Sequence, residues 1–152
     1  MPLPKPELGL VVHYGFVWAG PERDAPLDAG KARPCVIVDI EDIEEPAAGG
    51  RPTKRVTYLP LSHVAPRKGE AGIVVPPRVA AYLGLTPQVS FIYTSYAVED
   101  DWPFDVERRP GATDRFDYGH IPPQLFVRVA KDFGSILKKR AGGVIDGRRR
   151  SP

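Results

Sequence analysis

Two side chains have the chemistry to handle a phosphate ester, and each stands at one end of an apolar run. Arg33 opens the run Arg33 to Ile40, and Ser62 closes the run Lys54 to Ser62. A guanidinium is always charged, and its planar fork grips two phosphate oxygens at once. A hydroxyl adds one more hydrogen bond to a non-bridging oxygen, where negative charge develops. His63 follows directly, and an imidazole titrates in the range that suits a general base. In an extended strand, however, residues 62 and 63 face opposite sides, so both reach one site only if the strand ends at Ser62. Each residue also has a plainer reading. Arg33 is then a rim cation paired with Asp28 or Glu41, Ser62 a hydroxyl capping a turn, and His63 a surface residue.

The elements that must position these groups are short. Leu8 to Trp18 alternates as a first strand, with Leu10, Val12, Tyr14 and Phe16 on one face. Ala19 to Ala32 reads as a loop carrying Glu22, Asp24 and Asp28. Arg33 to Ile40 is the second strand, with Pro34 tolerated at its start because only one ladder donor is lost there. Glu41 to Thr53 is a polar excursion, Lys54 to Ser62 the third strand, and Ile73 to Val75 a short fourth. Pro76 to Gly84 has prolines in its first turn and a glycine past its end, the signature of a short helix. Val89 to Val98 returns to strand, and Glu99-Asp100-Asp101-Trp102-Pro103 breaks it. Residues 105–115 read as loop, and Phe116 to His120 as a brief pairing.

From Pro122-Pro123 the chain enters an amphipathic helix with Leu125, Phe126, Val129, Phe133, Ile136 and Leu137 on one side. Lys138, Lys139 and Arg140 suit its last turn, and Gly142 can end it. Tyr14, Phe16, Tyr58, Tyr93 and Tyr96 read as core or dimer contacts. The pattern predicts a mainly β fold, α+β by content: a small curved sheet or barrel with the last helix across its open face. Residues 1–141 form one domain in this reading, and 142–152 a basic, unstructured tail.

Composition narrows the function classes. With 152 residues, 42% hydrophobic and 26% charged, the chain suits one soluble domain. Cys35 is the only cysteine, and the three histidines are scattered. The reading therefore includes no disulfide within the chain, no metal site and no cofactor. There is no signal-peptide pattern and no run long enough for a membrane span, so the expected location is cytoplasmic. The net charge of +2 hides a balance of +5 over residues 131–152 and −3 before them. A basic end suits nucleic acid or an acidic partner as well as it suits solvent.

The order of the pieces adds a resemblance. Gly9-Leu-Val-Val-His-Tyr-Gly-Phe-Val-Trp18 is followed by an acidic loop and then by Gly30-Lys31-Ala32-Arg33-Pro34-Cys35-Val36-Ile37-Val38. Leu59-Pro60-Leu61-Ser62-His63, the later strand and the helix announced by Ile121-Pro122-Pro123 come next. This order resembles the MazF/PemK family of endoribonuclease toxins from toxin–antitoxin pairs. The resemblance implies an SH3-like barrel with a C-terminal helix, acting as a homodimer on single-stranded RNA without a metal ion and neutralised by an acidic, partly disordered antitoxin. It puts Arg33 on the family's catalytic arginine and Ser62 on its catalytic hydroxyl residue. Asp28 lies near a position where many members have Glu, and His63 is a further accessory candidate. Lys31, Arg67, Lys68 and Trp18 are the residues expected to touch RNA.

The chain departs from the family where Thr94-Ser95-Tyr96 replaces the usual Asp-Gln, and around Trp102-Pro103. The competing class is a non-enzymatic nucleic-acid- or protein-binding module on the same barrel. Its versions are a gyrase-poison-like protein and a decayed toxin.

Overall fold

Hydrophobic burial on both faces singles out three strands as the centre of the molecule. In the computed structural model these are β1 (Leu10–Tyr14), β2 (Arg33–Asp42) and β3 (Lys54–Ser62). The structure describes residues 5–15, 33–42, 54–85, 88–102, 106–107, 117–139 and 144–146. The strands are rich in Val, Ile, Leu and Tyr, which pack well on a pleated surface. They pair antiparallel, with Val36 facing Val11 on one side and Leu59 on the other.

Six further strands extend this centre: β4 (Gly72–Val74), β5 (Phe91–Tyr93), β6 (Ala97–Asp101), β7 (Val106–Glu107), β8 (Asp117–His120) and β9 (Val144–Asp146). The main path runs β4-β5-β3-β2-β1-β7, while β6 joins β3, β8 joins β1, and β9 joins β6 in parallel. The fold is thus mainly antiparallel sheet with two helices. Among the described residues the path begins at β4 and ends at β7 without closing on itself.

Period-two alternation divides the core in two. One face carries Val11, Val36, Val38, Leu59, Leu61 and Ile92, covered by both helices. Helix α1 (Pro77–Leu83) contributes Val79 and Leu83, and α2 (Pro123–Lys139) contributes Leu125, Val129 and Phe133. Leu125, Val129 and Phe133 recur every four residues, so they form one stripe. Leu137, expected on that stripe, is exposed. Helix α1 ends where Gly84 adopts φ +71°, and its N–H bonds the carbonyl of Ala81. Glycine takes that conformation without the Cβ penalty other residues meet.

The opposite face carries Leu10, Val12, Tyr14, Cys35, Ile37, Val56, Tyr58, Tyr93 and Val98. The tyrosines expected in the core at 14, 58 and 93 are fully buried.

Several boundaries depart from expectation, among them β7, which pairs with β1 inside the stretch 105–115 read as loop. The strand expected over Val89 to Val98 is two strands, β5 and β6, separated by Thr94-Ser95-Tyr96. The acidic run expected to break it lies inside β6, where Glu99 pairs with the Arg55 guanidinium at 2.5 Å. Asp100 is fully buried and accepts a hydrogen bond from Tyr14 Oη at 2.5 Å. Glu99 and Asp100 each have a specific partner, so their charge does not end the strand. In the same way, Val144–Asp146 pairs with Ala97–Glu99 although it falls in the stretch read as unstructured tail.

Tyr58 stacks on Tyr14 with ring centroids 4.2 Å apart, and among the described residues its buried hydroxyl has no hydrogen-bond partner. Burial pushes the Tyr58 phenol above its ordinary value, and the neighbouring Cys35 and Asp100 add to the rise. An orphaned buried hydroxyl costs about 1–3 kcal/mol. Tyr58→Phe is therefore expected to leave stability unchanged or raise it by about 1 kcal/mol in urea denaturation. A clear loss would show that the hydroxyl has a partner after all.

Candidate functional site

Strand register decides which of the sequence-predicted residues meet. Arg33 on β2 is paired with Tyr14 on β1. Between β2 and β3 the pairing ends with Cys35 facing Pro60, so Arg33 and Ser62 lie two residues beyond the last pair, at the same end of the two strands. Ser62 faces Phe91 on β5, and Phe91 faces Val74 on β4. Side chains alternate along a strand, so Arg33 shares the face of Cys35, and Ser62 the face of Pro60 opposite it. Tyr93 and Cys35 lie on that face as well. Arg33 and Ser62 thus share a face and an end of the sheet.

Their surroundings differ from the open rim expected for Arg33. The residue is only 8% exposed and is paired across the sheet with Tyr14. Glu41, one of its proposed partners, stands at the other end of β2, about 26 Å away at strand rise. That pairing is excluded. Burial pushes the Cys35 thiol up, and the nearby Arg33 charge partly offsets the rise.

Ser62 is half-buried, and its Oγ accepts a hydrogen bond from Val64 N at 3.1 Å. This is the turn-capping role of the plainer reading. A hydroxyl that accepts one bond still has its own O–H to donate. His63 is exposed, and its Nδ1 lies 3.0 Å from the Val89 carbonyl and 3.4 Å from Ser90 Oγ. A carbonyl can only accept, so Nδ1 carries a proton in this contact. His13 and His120, read from sequence as structural, bond Tyr118 Oη and Glu7 Oε1.

Sequence reasoning missed Glu70. Its Oε1 accepts from Arg67 N at 2.6 Å, its Oε2 accepts from Tyr96 Oη at 2.7 Å, and Arg67 Nε approaches Oε1 at 3.6 Å. Tyr93 Oη donates to the Val64 carbonyl. The turn after β3 is therefore tied to the tyrosine face at two points, with Arg67 and Lys68 exposed on it. No periodic pattern marks Glu70, because its partners are 3 and 26 residues away in the chain. Asp28, Lys31 and Trp18 lie outside the described residues. Among the described residues no group of His, Cys, Asp and Glu is arranged to hold a metal ion.

Burial raises the Tyr93 phenol, and Glu70 raises it further while Arg33 and Arg67 oppose the rise. These four side chains therefore share one electrostatic neighbourhood. Tyr96 is pushed up to about 12, first by burial and then by its hydrogen bond to Glu70. The folded state thus favours the neutral phenol. Its contribution to stability is complete below pH 10, the ordinary tyrosine value, and is lost as pH rises towards 12. Urea midpoints are expected to fall across that interval, and to fall less steeply in Tyr96→Phe. An unchanged slope in the variant would remove Tyr96 from the account.

A comparison with protein-family models, curated proteins and solved structures finds no match to this chain. Among the described residues, no helix is long and apolar enough to cross a membrane.

Proposed function

We propose that this protein is the toxin of a toxin–antitoxin pair, an endoribonuclease that cleaves single-stranded RNA without a metal ion. In this reading the sheet is an SH3-like barrel, the active form is a cytoplasmic homodimer, and an acidic antitoxin holds it in check. The observation that supports the reading is that Arg33 and Ser62 stand at the same end of β2 and β3, on one face.

Attack by a ribose 2′-hydroxyl on the adjacent phosphorus forms the P–O2′ bond, builds negative charge on the non-bridging oxygens and breaks the P–O5′ bond, the departing 5′-oxygen taking a proton from solvent. The Arg33 fork clamps those oxygens, and the Ser62 O–H donates to one of them. Arg33 stays charged at any working pH, so it serves as clamp and not as base. His63, whose Nδ1 is held by the Val89 carbonyl, is the candidate to take the 2′-proton. Arg67 and Lys68 supply cations for the backbone, and Tyr96 supplies a ring for an unstacked base.

The burial of Arg33 favours a second reading, a binding module on the same scaffold in which the guanidinium supports the fold. Product-end analysis separates the two. Incubation of purified protein with single-stranded RNA in EDTA is expected to give fragments ending in 2′,3′-cyclic phosphate and 5′-hydroxyl. RNA retained on a gel without fragments would assign the binding module instead.

A further inference from the structure

One edge of the sheet is open and apolar. The pairs Ala71/Thr94 and Val75/Ser90 flanking β4 are hydrogen-bonded, with Thr94 N to Ala71 O at 3.0 Å and Val75 N to Ser90 O at 2.8 Å. Bonded and non-bonded pairs alternate in an antiparallel ladder, so Ile73/Ile92 is also bonded. The N–H and C=O groups of Gly72 and Val74 therefore point away from β5, and among the described residues no strand covers them.

Sheet edges are normally blunted by charge, by proline or by shortness. Here β4 is short and Pro76-Pro77 follows it, yet Val74 is 51% exposed and Val89 beside it 59%. Between this edge and α1 lies a cavity of about 360 Å³, walled by Val74, Val75, Ala80, Ala81, Leu85 and Val89.

The charge around the edge is one-sided. Between Ala65 and Ser90 the sequence has Arg67, Lys68 and Arg78 against a single acid, Glu70. Glu70 is already engaged by Arg67 and Tyr96. Lys68 and Arg78 are exposed, with no ion pair among the described residues.

We propose that this edge is a docking site for an extended acidic peptide of a partner protein. The peptide adds a strand through the outward backbone groups of Gly72 and Val74. It seats one large apolar side chain in the cavity and sets its carboxylates against Lys68 and Arg78. Backbone pairing supplies affinity in such strand addition, and the pocket and charges supply selectivity. The toxin reading already calls for an acidic partner, so the inference adds the place and mode of docking; RNA cleavage without peptide binding would overturn the docking and leave that reading standing.

Fluorescence anisotropy with a labelled synthetic peptide of about nine residues, alternating Glu with Val and Leu, tests it. Binding is expected near 10 µM, roughly −7 kcal/mol. The same peptide N-methylated on alternate backbone nitrogens should bind at least about tenfold more weakly, as should a version with Lys for Glu. The protein variants Ala81→Glu and Lys68→Glu/Arg78→Glu should weaken binding to a similar degree. The peptide controls keep the test valid if a variant misfolds. No binding up to about 1 mM, or equal binding of the N-methylated or lysine peptide, would overturn the proposal. Self-association abolished by Val74→Lys, with no peptide bound, would overturn it too and give the edge to a second copy of the chain.

Discussion

Arg33→Ala should abolish RNA cleavage in EDTA, lowering the rate by about a thousandfold or more. Loss of one hydrogen-bond donor to a developing oxyanion costs about a hundred- to a thousandfold in rate, and a guanidinium supplies two in a fixed fork. Ser62→Ala removes a single donor and should cost about a hundredfold. Because Arg33 is buried beside Tyr14 and near Tyr93, the alanine variant must be tested for fold as well as for rate.

Arg33→Lys settles the ambiguity, since it keeps the charge and most of the volume but loses the fork. An inactive lysine variant with a native urea midpoint would mark the fork as catalytic. Full activity in either Arg33 variant, or inactivity that follows unfolding, would remove Arg33 from the chemistry.

The largest effect on stability is expected from Asp100→Ala, a loss of about 3 kcal/mol or more. The carboxylate is fully buried, receiving Tyr14 Oη at 2.5 Å and the Asp101 amide at 2.9 Å. Truncation removes the acceptor of the Tyr14 hydroxyl in the same apolar layer where, among the described residues, Tyr58 Oη has none. Asp100→Asn retains an acceptor and should lose less. The pair is best isolated by a double-mutant cycle. If Asp100 and Tyr14 are coupled, Tyr14→Phe should cost clearly less in the Asp100→Ala background than in the native chain. Additive losses would refute the coupling. Chemical denaturation followed by far-ultraviolet circular dichroism gives all four values.

The strands around the site were legible wherever a local pattern carried them. β3 begins and ends where alternation places it, and β2 begins at Arg33 as expected. The proline and glycine punctuation of α1 held to within one residue at its start and its end. What local pattern could not carry was partnership across the chain. Glu99-Asp100-Asp101 reads as a break because three acids in a row normally seek water. Their place in β6 depends on Arg55 and Tyr14, 44 and 86 residues away from the groups they bind.

Glu70 was invisible for the same reason, as was the pairing of Val144–Asp146 with β6. The site was half legible. Sequence put Arg33 and Ser62 at strand ends, and only the β2–β3 register put those ends on the same side of the sheet. It also suggested an exposed guanidinium, because a strand's first residue next to a polar loop is ordinarily wet. In the fold Arg33 is buried, paired across the sheet with Tyr14.

The sheet is a partition between two chambers of unlike chemistry. One, beneath the helices, is filled almost wholly by hydrocarbon; the other holds tyrosine hydroxyls, a sealed carboxylate and the guanidinium. Residues separated by the partition touch few common neighbours, so changes on the two sides should combine nearly independently. Val79, Leu125 and Val129 can exchange volume among themselves while the tyrosine chamber keeps its geometry. Such a chain can drift far in its helices and still hand down the same polar constellation.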